Sequence, residues 1–262
     1  MGRKKPLTHI EKTVTFHVIS LFPEAFSSYI QASILARSIG EGSVRVLFYN
    51  PRDNVKPRGA QKLKDKPMRL VDDRPYGGGP GMVMKAEPVL KAIEQAENAA
   101  AAFHKKNKTK GGKKTTTQVV FLSPGGEQFT TETAHLYANE YTDVIIICGR
   151  YEGIDARVLE ARQEIVEVSV GPWVTTGGEL PALVMMDVIA RQIPGVLGNF
   201  DSREEVRNSS HEVYTRPEIL TYKKKKYVVP KVLLSGDHKQ IDRFRTGGSD
   251  IAPVAAKTPK SK

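Results

Sequence analysis

Short apolar runs alternate with longer amphipathic stretches along this chain, and that alternation limits its possible folds more than any other feature. The β-branched runs at 14–21, 44–49, 119–122, 144–148 and 165–170 have the length and composition of buried strands. Parallel strands need connections long enough to hold a helix, so strands that alternate with helical stretches indicate a mainly parallel sheet. We predict an α/β fold with helices on both faces of the sheet. The predicted helices are 23–39, 86–103, 130–141, 154–162 and 180–193.

The composition changes near residue 198, and this change indicates two domains of unequal size. Residues 13–198 carry the strand and helix pattern, residues 199–212 have the polar, charged composition of a flexible linker, and residues 213–246 form a reduced second domain. The basic ends, 1–12 and 247–262, are expected to be disordered.

Three shorter segments carry local signals. Residues 50–69 lack apolar periodicity and are predicted to be a loop. In the second domain, residues 228–234 are expected to be extended, and residues 237–245 have the pattern of one amphipathic helix.

The net charge of +11 is concentrated in two lysine runs, at 105–114 and 223–226. Lysines neutralise phosphates without reading bases, so these runs favour a nucleic-acid partner held by a salt-sensitive interaction. A solvated surface without a partner explains each run equally well when it is taken alone.

The single cysteine and the hydropathy pattern indicate where the chain works. Cys148 ends an apolar run, cannot form an intramolecular disulfide and is expected to be a buried, inert thiol. No apolar run approaches the roughly 18 to 20 residues that a bilayer span needs, and the first residues lack the pattern of a secretory signal. We therefore expect a cytoplasmic protein without membrane attachment.

Four glycine-rich or polar clusters lie at ends of the predicted strands, where open α/β sheets usually bind their ligands. They occupy residues 71–82, 122–126, 149–155 and 170–181. Glycines let a ligand approach the backbone closely. A surface turn is an equally good explanation of the first cluster, and the lone Trp173 of the fourth is more often a core anchor than a ligand contact.

Several common catalytic patterns are missing from the sequence. No G-x-G-x-x-G follows a strand and no G-x-x-x-x-G-K-[ST] occurs, so nicotinamide cofactors and nucleoside triphosphates lack their usual support. The six histidines lack metal-ligand spacing, and neither H-E-x-x-H nor G-x-S-x-G is present. Group transfer is the reaction class that remains.

Five ordered motifs resemble one known family. They are I-S-L-F-P-E at 19–24, V-D-D-R-P-Y-G-G-G-P-G-M at 71–82, C-G-R-Y-E-G-I-D at 148–155, T-G-G-E-L-P-A at 176–182 and I-P-G-V-L-G at 193–198. In this order they closely resemble the bacterial tRNA (guanine-37-N1)-methyltransferases of the TrmD type, over about residues 14–245. The resemblance implies a SPOUT fold with a deep trefoil knot, a rare exception to unthreaded connections. It also implies an obligate homodimer whose active sites are built from both chains.

The resemblance implies S-adenosylmethionine as methyl donor, bent within the knot, and the guanine next to the tRNA anticodon as substrate. Activity is expected to need Mg²⁺, for which no ligand residue is identified. The expected donor contacts are Phe121, Leu122, Pro124, Gly149, Tyr151, Gly153, Val170, Gly171, Pro172, Trp173, Val174, Thr175, Gly177, Gly178 and Pro181. The expected substrate contacts are Asp72, Asp73, Arg74, Tyr76, Gly77 and Arg216.

The reaction also needs a base, because guanine N1 carries a proton and is a poor nucleophile until that proton leaves. The family assigns this role to a linker aspartate, helped by an arginine that matches Arg191, and Glu152 is the third expected catalytic residue. In this sequence the aspartate position falls on Val206. We expect Glu205 to act instead, because its longer side chain reaches as far and its reference pKa is close to that of aspartate. The next candidates are Glu204 and Asp201, and ordinary solvated linker charges are the alternative for all three.

Two further departures from the family pattern bear on binding. Pro172 and Trp173 replace a common Asp-Tyr pair, which puts one polar donor contact in doubt, and the second domain is cut short after Arg245. The lysine runs are expected to replace part of the lost grip on tRNA. Two alternatives follow: a non-catalytic RNA-binding relative that has lost its base, and a related methyltransferase that acts on another RNA.

Overall fold

The structure, a computed structural model, describes residues 12–57, 62–63, 66–67, 69–106, 115–197 and 212–245. The chain divides into two compact units, Met1–Gly198 and Asn199–Lys262. Glu205 with the rest of 198–211, residues 107–114 of the first lysine run and almost all of both terminal tails lie outside the described residues. The predictions made for them therefore stay predictions.

The elements are numbered along the chain. The strands are β1 Val14–Ile19, β2 Val44–Tyr49, β3 Lys62–Leu63, β4 Lys66–Pro67, β5 Asp72–Asp73, β6 Val83–Met84, β7 Thr117–Gln128, β8 Asp143–Cys148, β9 Val166–Ser169, β10 Ile219–Tyr222 and β11 Lys225–Val228. The helices are α1 Ser27–Ile30, α2 Ser33–Glu41, α3 Ala86–Lys106, α4 Thr131–Glu140, α5 Arg157–Ala161, α6 Glu179–Gln192, α7 Lys231–Leu234 and α8 His238–Arg245, with 3-10 turns at Pro23–Phe26 and Pro51–Asn54. Among the described residues, no helix combines the length and the apolar character that crossing a membrane requires.

The main sheet of the first unit contains five strands in the order β2, β1, β8, β7 and β9. Every neighbouring pair is parallel. The central strand β8 is buried along its whole length, as its β-branched run predicts for a parallel sheet covered on both sides. The predicted α/β fold is confirmed, and the order of the strands is consistent with the trefoil knot that the resemblance implies.

Alternate residues of the strands face two separate apolar cores, one on each side of the sheet. Phe16 and Ile146 belong to the core formed with α2, α4 and α6. Ile19 and Ile145 belong to the core formed with α3 and α5. The two-residue period of a strand thus supplies both cores from the same short runs, and helices cover both faces as predicted.

Three predicted boundaries are wrong. The helix expected over 23–39 is divided, because Ala32 adopts an extended conformation and Ser33 has a φ of 51°. β7 does not end at Leu122 but continues to Gln128, with a shift in its register against β9 between Leu122 and Glu127. α5 is shorter than predicted, since Ile154 instead forms a β-bridge with Met84.

The second unit begins with a β-hairpin that the sequence pattern did not predict. β10 and β11 pair in antiparallel register. The extended segment expected over 228–234 is wrong beyond Val228, because Pro230 precedes the short helix α7. The helix expected over 237–245 is confirmed as α8, and the Asp237 carboxylate caps it by accepting hydrogen bonds from the backbone N–H groups of Lys239 and Gln240 at 3.0 and 3.2 Å.

Candidate active site

A cavity of about 210 Å³ opens where three loops meet at the carboxyl ends of neighbouring strands. Two of the loops follow β8 and β9. The third is the irregular part of β7, where the register shifts after Leu122. Because β8, β7 and β9 are adjacent and parallel, their carboxyl ends lie at one edge of the sheet. The lining residues are Phe121, Leu122, Ser123, Pro124, Gly149, Arg150, Tyr151, Glu152, Gly153, Val168, Ser169, Val170, Gly171, Trp173, Val174, Thr175, Thr176, Gly177, Gly178 and Pro181.

The structure brings together nearly all the residues that the sequence analysis assigned to the donor. Every expected donor contact lines the cavity except Pro172, and the expected catalytic residue Glu152 lines it as well. Five further residues line the cavity that were not expected from the sequence, namely Ser123, Arg150, Val168, Ser169 and Thr176. Their signal was their position, because each lies within or beside a cluster that was already selected.

Glycine is required where two of the loops touch. The Gly178 N–H donates a hydrogen bond to the Gly149 carbonyl at 2.9 Å. A Cβ at Gly178 would lie 2.6 Å from the Cα of Cys148, closer than real Cβ contacts allow. Only a residue without a side chain lets the β8 and β9 loops approach this closely.

Trp173 forms an exposed wall of the cavity. Its side chain is 59% exposed, so the core-anchor alternative for this tryptophan is wrong. A Cβ at Gly171 would lie 2.2 Å from the Trp173 ring, so glycine makes room for the ring beside the backbone. An exposed aromatic ring next to a glycine-rich backbone offers an apolar surface for a flat ligand.

Tyr151 forms a second aromatic wall and has a strained backbone. Its φ of 60° lies in the left-handed region that bulky residues rarely adopt, and its side chain is about half exposed. The neighbouring Gly153 has a φ of 129°. Such backbone conformations persist mainly where the surrounding structure holds a functional loop in place.

A buried carboxylate connects three segments around the cavity. Glu179, at the start of α6, accepts a hydrogen bond from the Ser20 hydroxyl at 2.7 Å, and its other oxygen lies 2.8 Å from the Arg150 Nε. The Arg150 guanidinium also donates to the Thr176 carbonyl at 3.3 Å and stacks over the Phe22 ring at 4.5 Å. This pairing joins the end of β1, the β8 loop and the β9 loop. The sequence analysis did not predict it, although opposite charges in two of its selected motifs were a usable signal.

Cys148, the last residue of β8, is fully buried. Burial raises the pKa of its thiol well above the ordinary value, and the nearby negative charge of Glu179 raises this pKa further. The thiol is therefore protonated at neutral pH, in agreement with the predicted inert role.

The expected substrate residues of the first cluster lie beside the cavity rather than in it. Asp72 and Asp73 form β5, which pairs with β6, and a glycine-rich turn connects the two strands. Tyr76 in this turn is almost completely exposed. The base of the hairpin contacts the β8 loop, since the Glu152 N–H donates to the Met82 carbonyl at 3.0 Å. Glu152 therefore stands between the cavity and the hairpin.

The remaining expected site residues are not brought together within the described part of one chain. Arg191 lies in the last turn of α6, is partly buried and does not line the cavity. Arg216 belongs to the second unit and is exposed. Glu205 lies outside the described residues. Among the residues that the structure describes, no group of three histidine, cysteine, aspartate or glutamate side chains could hold a metal ion.

Comparison with known proteins gives consistent similarities. The sequence profile of the family described as tRNA (Guanine-1)-methyltransferase TrmD matches residues 14–254. The chain is 43% identical over 235 residues to the tRNA (guanine-N(1)-)-methyltransferase of Pseudoalteromonas atlantica, covering 88% of this chain and 78% of that protein. It is 42% identical to the proteins of the same name from Pseudomonas fluorescens, covering 87% and 82%, and Idiomarina loihiensis, covering 89% and 83%.

Proposed function

Because the chain belongs to the tRNA (Guanine-1)-methyltransferase family of the TrmD type, we propose that it transfers the methyl group of S-adenosylmethionine to N1 of guanine 37 in tRNA. The observation that carries this proposal is the meeting of the three predicted donor loops in one cavity. The expected donor loops at 121–125, 149–153 and 170–181 are those that the resemblance to the family implies, and a shared cavity is what donor binding requires.

The residues of the cavity suit the proposed donor. Gly149, Gly177 and Gly178 line the cavity without side chains, so the edge of an adenine can approach the backbone of these loops closely. Tyr151 and Trp173 supply aromatic walls. When bound there, S-adenosylmethionine supplies a methyl group made electrophilic by a positively charged sulfur.

Glu152 is proposed to orient the guanine. Its position between the donor cavity and the β5–β6 hairpin is where the donor and a base held by Asp72, Asp73, Arg74, Tyr76 and Gly77 would meet. A carboxylate accepts hydrogen bonds from N–H donors, and guanine presents N1–H and its amino group on one edge.

Glu205 is proposed as the base and Arg191 as its helper. Glu205 takes the N1 proton, the N1 electron pair forms the new bond to the methyl carbon, and the electrons of the broken carbon–sulfur bond stay on sulfur. Arg191 stabilises the negative charge that develops on the guanine ring when the proton leaves.

The proposed assembly is a homodimer. Leu180 and Val184 lie one helical turn apart on α6, and their side chains are exposed together with those of Tyr29 and Val174. Apolar exposure of this kind on a helix favours self-association. Arg191 lies on the same helix and does not line the cavity of its own chain. Placing this helix against a second copy would bring Arg191 towards the partner's cavity.

The second unit, at 213–246, is proposed to contact tRNA together with the linker 199–212, and Arg216 belongs to this surface.

We also propose a cytoplasmic location, where unmodified tRNA is available, and a requirement for Mg²⁺. Mg²⁺ usually keeps several waters and takes few protein carboxylates together with substrate phosphates, so it does not need a cluster of protein ligands. Chelation with EDTA is expected to abolish methyl transfer and leave donor binding intact, and re-addition of Mg²⁺ is expected to restore transfer.

The decisive experiment measures transfer from labelled donor to unmodified tRNA and to the same tRNA with adenine at position 37. Transfer only to the guanine form is expected. Glu205→Gln should lower kcat at least a hundredfold with little change in KM, because general base catalysis contributes about that much, while Glu204→Gln serves as the matched control. Donor binding without any transfer by the wild type would instead support the non-catalytic relative, and transfer only to ribosomal RNA would support action on another RNA.

A further inference from the structure

The hairpin of the second unit has an unusual turn. β10 and β11 pair from Ile219 with Val228 to Tyr222 with Lys225, so only Lys223 and Lys224 form the connection. Both have positive φ angles, 50° and 62°. Two-residue turns of this kind strongly favour Asn-Gly, because asparagine and glycine tolerate the left-handed region, whereas most other residues are strained there. This turn carries two lysines in strained conformations instead.

One face of the hairpin combines aromatic rings with positive charge. Side chains alternate along a strand, so the register places Leu220 and Tyr222 of β10 on the same face as Lys225 and Tyr227 of β11. The two tyrosines are about half exposed, 58% and 47%. The Lys223 ammonium lies 5.4 Å from the centre of the Tyr222 ring, and the Lys225 ammonium lies 5.3 Å from that of Tyr227. Both pairs are within the range of cation–π attraction.

The charge of the surrounding unit has the same sign. Residues 212–245 contain nine lysines and arginines but four aspartates and glutamates. Four of the nine are the consecutive lysines at 223–226, at and beside the turn. Burying neighbouring like charges against an uncharged protein surface would be unfavourable, whereas a polyanion neutralises them.

We propose that this aromatic and basic face of the hairpin binds a segment of the tRNA in which bases are unpaired. The lysines neutralise backbone phosphates, and Tyr222 and Tyr227 stack on bases. Single-stranded RNA is recognised in general by positive charge along the backbone combined with stacking on aromatic side chains. The inference rests on the proposed function for its substrate and adds a contact surface and a mode of recognition to it.

The test measures tRNA affinity of the full-length protein as a function of salt concentration. Tyr222→Ala and Tyr227→Ala are each expected to weaken binding roughly 5- to 100-fold, the range for loss of one stacked base. Tyr222→Phe and Tyr227→Phe are expected to keep wild-type affinity, because the ring is retained. Thr221→Ala, on the opposite face of the hairpin, is the matched control and should not change affinity. If both alanine variants bind tRNA as tightly as the wild type, stacking is excluded.

A second variant separates charge from folding. Replacing Lys223 and Lys224 together, by Lys223→Asn and Lys224→Gly, introduces the residues that the turn conformation prefers and removes two charges. The thermal midpoint of unfolding should not fall, while the slope of log Kd against log salt should decrease by about 1 for each lysine that contacts a phosphate. An unchanged slope would overturn the phosphate contacts. Donor binding by all variants should equal that of the wild type.

The outcomes distinguish the inference from the function on which it rests. If the wild type methylates guanine 37 but the hairpin variants bind tRNA normally, only the inference fails. If the wild type transfers no methyl group to any tRNA, the proposed function fails whatever the hairpin variants do.

Discussion

At the scale of single residues, the Glu179 carboxylate connects Ser20 and Arg150 beside the cavity. Its carboxylate is almost fully buried and meets Arg150, whose side chain is only 24% exposed. Removing one partner of a buried ion pair leaves the other charge without compensation, so Glu179→Ala should lower the free energy of unfolding by roughly 2–4 kcal/mol. Donor affinity should fall too, because Arg150 holds two cavity loops. Chemical denaturation and donor titration measure the two effects.

An exposed ion pair provides the control for this change. Arg157 and Asp155 form a shorter pair, at 2.5 Å compared with 2.8 Å for Arg150 and Glu179, but the Arg157 side chain is 68% exposed. Asp155→Asn keeps an oxygen that can cap α5 and removes only the charge, so the expected loss is below about 1 kcal/mol. Equal losses for the two variants would contradict the role given to the buried pair.

Asp143, the first residue of β8, is expected to link stability to pH. Burial alone would raise the pKa of its carboxyl, but hydrogen bonds from His17, Thr142 and His104, together with the charge of His104, lower this pKa below its ordinary value. A group with a lowered pKa stabilises the fold above the unfolded pKa of about 4 and loses this contribution as the pH falls through the folded value. The wild type should therefore lose stability progressively below about pH 4.

The matching variant is Asp143→Asn, which cannot ionise. It should be less stable than the wild type at pH 7, and the difference between the two proteins should shrink as the pH is lowered from 5 to 3. Thermal unfolding measured at several pH values gives this comparison. Parallel curves over the whole range would show that Asp143 does not carry the pH dependence.

At the scale of elements, alanine substitution is expected to have opposite effects on stability at the two adjacent glycines of β7, Gly125 and Gly126. A Cβ at Gly126 would lie 2.5 Å from the backbone of Glu167 and Val168 in β9, whereas the nearest atom to a Cβ at Gly125 would be 4.0 Å away. Gly126→Ala must therefore push β9 away from β7, at a cost of about 1–3 kcal/mol as in other overpacked sites. It should also weaken donor binding, because β9 leads into the cavity.

Gly125→Ala is the control and should leave stability nearly unchanged or slightly increased, since alanine has less conformational freedom than glycine in the unfolded chain. Thermal unfolding and donor titration of both variants measure the difference. If Gly126→Ala behaves like Gly125→Ala, the close approach of the two strands is not maintained in solution.

The same segment shows why element boundaries were harder to predict than the elements. Pro124, Gly125 and Gly126 are typical turn residues, and the local pattern therefore ended the strand at Leu122. In the structure β7 continues to Gln128 because its backbone can still pair with β9 after a shift in register. Pairing between distant segments decided this boundary. The break before Ser33 was missed for a related reason, since no proline or glycine marks it.

At the scale of the whole molecule, the loops that line the cavity could be predicted because sheet topology and local motifs point to the same edge. Gly178 belongs to a cluster selected in this way, whereas Trp173 was expected to contact the donor only because of the resemblance to the family. The contact between Arg150 and Glu179 was missed although their opposite charges were a usable signal, because the pairing depends on how two residues 29 positions apart are brought together by the fold. The base could not be placed either, since Glu205 lies where the sequence departs from the family pattern. What remained open therefore depends on contacts between distant segments and on a region where the sequence departs from the family pattern.

The exposed α6 surface provides the prediction at this scale. Val184→Glu places a charge in the proposed dimer interface, where it would be buried without a partner. Analytical ultracentrifugation of this variant should show a monomer. Donor binding should persist, because Val184 does not line the cavity. Methyl transfer should be lost, because Arg191 would no longer reach a second chain. A Val184→Glu protein that remains dimeric would remove this surface from the interface.

Mixing two inactive proteins tests whether the sites are shared between chains. Arg191→Ala keeps the donor cavity but lacks the arginine, whereas Gly178→Val keeps the arginine but closes the cavity, since even a Cβ there would lie 2.6 Å from Cys148 Cα. In a heterodimer, one cavity would be intact and would face an intact Arg191. Random exchange makes half of the dimers mixed, each with one complete site, so activity should recover to about a quarter of wild type. If each chain instead used its own Arg191, no mixed dimer would contain a complete site and activity would not return.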